Sequence, residues 1–147
     1  MRAFTTLNTS DDPRTVLQFN MGTNHRGLLL GIQVSPEGST ATSAPIRFSF
    51  GTQSGAGTSV DATSAAVKDE PAWTGTTTSY LTILDTFSST EPTHTEQGYR
   101  FSLHQQSSLY WTPPGKGYVI MDPSERWGLQ IQSTSGVEIA YSFDFEL

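Results

Sequence analysis

The sequence predicts an all-β protein: a single-domain antiparallel β-sandwich, or jelly roll, of about eight strands with a long loop at 51–78. Three observations lead there. Val137, Ile139, Tyr141, Phe143 and Phe145 alternate with Glu138, Ala140, Ser142, Asp144 and Glu146, the period of a half-buried strand. Charged residues are only 15% of the chain, while Ser and Thr supply about a quarter, which is poor material for helices. Gly and Pro, 13 and 8 residues, cluster between the apolar runs and mark turns at sandwich spacing.

Taken in order, residues 1–14 read as an irregular arm ending at Asp11-Asp12-Pro13, and residues 15–147 as the sandwich domain. Leu17, Phe19 and Met21 give a first strand one apolar face, and Gly22-Thr23-Asn24 turns the chain. Leu28, Leu30, Ile32 and Val34 are expected on the inner face of the second. Ile46, Phe48 and Phe50 face one way on the third, with Arg47 and Ser49 opposite. The stretch 51–78 is Ser-, Thr- and Gly-rich without periodicity, and residues 65–70 carry the one helical turn expected. Loops this long usually engage something.

Leu81 and Ile83 anchor a fourth strand over 79–86. Tyr99, Phe101 and Leu103 anchor a fifth, with Arg100, Ser102 and His104 outward. Leu109-Tyr110-Trp111 runs into Pro113-Pro114-Gly115, which must turn. A short segment at 117–121 follows, then the turn Asp122-Pro123-Ser124. Trp127, Leu129 and Ile131 alternate with Gly128, Gln130 and Gln132. Ser133-Thr134-Ser135-Gly136 has hairpin length, so this strand is expected to pair with the last one.

Composition also narrows the function classes. A chain of 147 residues suits one domain, and the absence of cysteine removes disulfides, thiolate zinc sites and cysteine nucleophiles. The net charge of −6, with scattered Lys and Arg, repels phosphate backbones, so no nucleic-acid partner is expected. No apolar run approaches membrane-spanning length and the first residues lack a signal-peptide core, so no membrane partner and no export are expected either.

The chemistry-bearing residues are sparse. His25, His94 and His104 share no metal-ligand spacing; Glu91, His94 and Glu96 are a formal donor set that reads more simply as a solvated loop. Asp11-Asp12 and Asp69-Glu70 lie in Pro-flanked segments, where nothing separates the paired carboxylates into acid and base. Residues 51–57 are glycine-rich but lack the lysine and helix of a phosphate loop. Asn8-Thr9-Ser10 matches a glycosylation sequon, which carries no weight without export. No catalytic residue, metal or cofactor is expected, and the protein reads as a non-enzyme. Aromatic residues are the better candidates. Trp127 falls on a core position, whereas Trp73 lies in the long loop. Tyr110 and Trp111 are adjacent, so one of them faces away from the core. Trp73, Tyr110 and Trp111 are therefore candidate interface or ligand-contact residues; the alternative is that they fold back as lids on the sandwich.

One further pattern runs from about residue 28 onward. Ile46-Arg47-Phe48 leads into Gly55-Ala56-Gly57-Thr58-Ser59, followed by Asp69-Glu70-Pro71-Ala72 and Glu91-Pro92-Thr93. Gln105-Gln106, Tyr110-Trp111 with Pro114-Gly115, and Phe143-Asp144-Phe145-Glu146 complete it. This order resembles the capsid decoration (cement) proteins of tailed bacteriophages. The resemblance implies a jelly-roll sandwich, commonly trimeric, made in the host cytoplasm. It would sit on the capsid exterior of the virion, with the major capsid protein and its own copies as partners. The competing expectation is a carbohydrate- or receptor-binding module of a phage tail or fibre. In that case Trp73, Tyr110 and Trp111 would form a stacking platform for sugar rings.

Overall fold

The computed structural model describes residues 2–6, 13–37, 45–55, 59–61, 81–87, 91–134 and 137–146. They form eleven strands: β1 (Arg2–Thr6), β2 (Arg14–Met21), β3 (Gly27–Pro36), β4 (Ile46–Ser54), β5 (Ser59–Asp61), β6 (Leu81–Phe87), β7 (Thr93–Leu103), β8 (Leu109–Trp111), β9 (Val119–Met121), β10 (Arg126–Gln132) and β11 (Glu138–Glu146). No helix occurs among the described residues. The helical turn expected at 65–70 lies outside them, as do Trp73, Asp69-Glu70 and Asp11-Asp12.

Two antiparallel sheets make the sandwich. A five-stranded sheet runs β1-β11-β3, with the short β8 and β9 both on the far edge of β3. A six-stranded sheet runs β5-β6-β2-β10-β4-β7. Nested pairing is the organising feature: β1 with β11, β2 with β10, β3 with β8 and β9, β4 with β7. Because successive members of that nest alternate between the sheets, the topology is a jelly roll.

Alternation explains the core. Leu17, Phe19 and Met21 of β2, Ile46, Phe48 and Phe50 of β4, and Leu129 and Ile131 of β10 line one sheet. Leu29, Ile32 and Val34 of β3 and Ile139, Tyr141 and Phe143 of β11 line the other. Phe19 meets Phe143 edge-on at 4.8 Å and 87°, tying the sheets together in the geometry that aromatic quadrupoles favour. Each such side chain contributes about 1.5–3 kcal/mol on burial.

Four expectations are corrected. β10 and β11 do not form a hairpin: β10 lies between β2 and β4, and β11 lies between β1 and β3 in the opposite sheet. Both edges of β10 are taken by β2 and β4, which leaves β11 to pair in the other sheet. The two strands therefore lie in opposite sheets. On β3 the buried leucine is Leu29, while Leu30 points outward at 36% exposure and Leu28 is half-buried. The β3–β11 register slips between Asp144 and Phe145, leaving Leu30 without an opposite number, a bulge that flips the side-chain phase. Residues 2–6 are not irregular but pair with β11. The stretch 51–78 is also partly regular: residues 51–54 extend β4 and residues 59–61 form β5.

Candidate functional site

The two adjacent aromatics separate as strand geometry requires. Trp111 points into the sandwich, where its ring lies 4.8 Å from Tyr99 and 6.1 Å from Phe101. It is a partly buried core residue. Tyr110 points the opposite way and is 53% exposed on the outer face of the five-stranded sheet. Trp73 lies outside the described residues. Trp127 is stacked on Phe50 at 5.2 Å and ties its indole N–H to Glu125 at 3.0 Å.

Tyr110 spans β3. Its ring lies over Gly31, where any Cβ would collide with it, and its hydroxyl donates to Asp144 of β11 at 2.7 Å. A glycine beneath a cross-strand aromatic lets the ring lie flat on the sheet. That hydrogen bond, first, and then slight desolvation and the carboxylate charge raise the Tyr110 pKa above its ordinary value. The ring is thus held in place while most of its upper surface stays open.

Its neighbours on the outer face include polar residues, Gln33 directly opposite and Ser142 hydrogen-bonded to Gln33 at 3.3 Å, and an apolar group. Leu28 and Leu30 of β3 and Ile120 of β9, the last 41% exposed, form a strip with Tyr110. Ile120 stands directly opposite Leu28. On the other side, Asp144 and Glu146 of β11 face solvent opposite Gly31 and Leu28. Sequence reasoning found Tyr110 but missed Leu28 and Leu30, because three consecutive leucines hide the phase of the alternation. Ile120 falls in the short segment 117–121, to which the sequence assigns no inner or outer face, and the structure puts it at the middle of β9.

The six-stranded sheet hides a second feature on its face away from the core. Thr15, Gln18, Gln53 and Gln130 are buried there. Gln18 Nε2 donates to Gln53 Oε1 at 2.9 Å and to the Gly55 carbonyl at 3.1 Å. Gln53 Nε2 and Gln130 Nε2 both donate to Thr15 Oγ1, at 3.1 and 3.2 Å. Gln130 Nε2 also reaches the Pro92 carbonyl at 3.3 Å, while Glu91 accepts from the Thr15 amide at 2.8 Å and pairs with Arg14 at 2.9 Å. Glu91 is thus engaged in closing this layer.

His94 lies within β7 rather than in a loop. Its ring nitrogens make no well-formed hydrogen bond. Burial lowers its pKa, the Gly128 backbone opposes that shift, and the Arg100 charge adds to it. No group of three His, Asp or Glu side chains is placed to hold a metal among the described residues, and no helix there is long and apolar enough to cross a membrane. Comparisons with protein-family models, with curated proteins and with solved structures find no match to the chain.

Proposed function

We propose that the protein is a non-enzymatic virion component, a decoration protein that binds the outside of a phage head as a trimer and stabilises it. The observation that carries this reading is the open apolar strip on a sheet face. Apolar side chains standing on the outside of a sheet suit another protein surface better than a small molecule, which favours a concave site. The sandwich gives such a protein what it needs: rigid β-structure, no disulfide to maintain, and polar flanks. Three linked copies would multiply weak single contacts into firm attachment.

Two measurements test it. Light scattering across a dilution series should give a mass of three chains, and the protein should co-sediment with undecorated capsids. A protein that stays in the supernatant with such capsids sinks the reading. The carbohydrate-binding alternative keeps one supporting observation, the open face of the Tyr110 ring. With Trp111 turned inward, however, a platform built on both residues loses one of its members.

A further inference from the structure

We infer that the outer face of the five-stranded sheet is the surface that docks on the capsid, and that its counterpart is an apolar patch of the coat lattice bordered by lysine or arginine side chains. This rests on the decoration reading above and specifies its contact. The apolar part is the strip of Leu28, Leu30, Tyr110 and Ile120, three of them more than a third exposed. Large apolar side chains that line up on one sheet face are the mark of a contact surface, unlike single scattered ones.

Charge selects the occupant. Asp144 and Glu146 flank the strip on β11, directly across the ladder from Gly31 and Leu28. A second copy meeting this face would bring two further carboxylates into the contact, in a chain that already carries a net charge of −6. A partner with cations at those positions gains steering and register from the same groups. Tyr110 adds rigidity, because its hydroxyl is already tied to Asp144 at 2.7 Å and little side-chain freedom remains to be lost on docking.

The test uses the full chain and undecorated capsids in a co-sedimentation assay, with light scattering alongside. Leu30→Asp with Ile120→Asp should weaken capsid binding at least tenfold while leaving the solution mass and thermal unfolding unchanged. Leu30→Ser with Ile120→Ser serves if the charged pair fails to fold. Asp144→Asn with Glu146→Gln should weaken binding and flatten its dependence on salt between about 50 mM and about 500 mM. Ser102→Asp, exposed on the opposite sheet, should bind as the unmodified protein does. If the face variants bind capsids normally, the docking assignment is overturned and the decoration reading stands. If they alter the solution mass, the face joins copies of this chain and the assignment is overturned as well. Failure of the unmodified protein to bind capsids overturns both together.

Discussion

The side-chain amide of Gln53 occupies the space where a Cβ on Gly128 would have to be. Gly128 is the residue of β10 that pairs with both Gln18 and Gly51. The missing side chain opens a slot in the sheet surface, and through it the Gln53 amide of β4 reaches across β10 to Gln18 and Thr15 of β2. Glycine is needed here for space, not for backbone freedom.

Gly128→Ala is therefore expected to expel that amide and break its bonds to Gln18 and Thr15. Losing buried hydrogen bonds and leaving their partners unsatisfied costs about 1–3 kcal/mol. Urea unfolding at neutral pH reads the change. Adding Gln53→Ala to the variant should cost little more, because the amide has already been displaced; fully additive losses would contradict the account.

His94 makes stability sensitive to acid. Its pKa is lowered in the folded protein, so below about 6.5 the unfolded chain takes up a proton that the folded one resists. Stability is retained above that pH and lost as the pH falls through the lowered folded value. Thermal unfolding of the unmodified protein and of His94→Gln, followed from pH 7.5 down to 4.5, should show a smaller acid loss in the variant.

Tyr110 acts at the opposite end of the scale. Its pKa is raised, so the folded state holds the phenolic proton more firmly than the unfolded one. That contribution is intact below about pH 10 and lost as the pH rises through the raised value. Ultraviolet titration of tyrosinate should show one late-ionising component disappear in Tyr110→Phe. In Gly31→Ala, which pushes the ring off Asp144, the same component should move back toward the ordinary range.

Ser124 holds a φ of 64° in the turn between β9 and β10, a left-handed conformation that side chains other than glycine resist by about 1–2 kcal/mol. The turn is fixed around it: the Asp122 amide donates to Glu125 Oε2 at 2.8 Å, and the Glu125 amide donates back to the Asp122 carbonyl at 3.0 Å. Ser124→Gly should stabilise the protein by about 0.5–1 kcal/mol after the extra freedom of glycine in the unfolded chain is counted. A fall in denaturant midpoint would contradict this.

Much of the architecture was legible in the chain because a sandwich interior demands alternation. The inward faces of β2, β4, β10 and β11 follow directly from Phe19, Phe50, Leu129 and Phe143 and their neighbours two residues away. Legibility failed where alternation is silent. Leu28, Leu29 and Leu30 fit either phase, and only the bulge decides between them. The link at 133–136 has the length of a hairpin, yet strand partners depend on which edges are already taken. Nothing in the sequence marks Gln18, Gln53 or Gln130 for burial, but main chain at Gly55 and Pro92 closes over them. Of the candidate contact residues, the opposed directions of Tyr110 and Trp111 could be read from adjacency alone, but which one faces out required the sheet assignment of β8.

The nested pairing bears on how the molecule is made. Arg2 pairs with Ser142 and Asn20 with Arg126, so early strands wait for late ones. On the ribosome, β2 and β3 emerge well before β10 and β11 exist, with their apolar faces uncovered and no local hairpin to shelter them. β6 can pair with β2, and β8 and β9 with β3, before that, but neither early strand has both neighbours until β10 and β11 are free, so completion of both sheets comes late. During that interval the uncovered apolar faces and unpaired strand edges are open to contact with neighbouring chains.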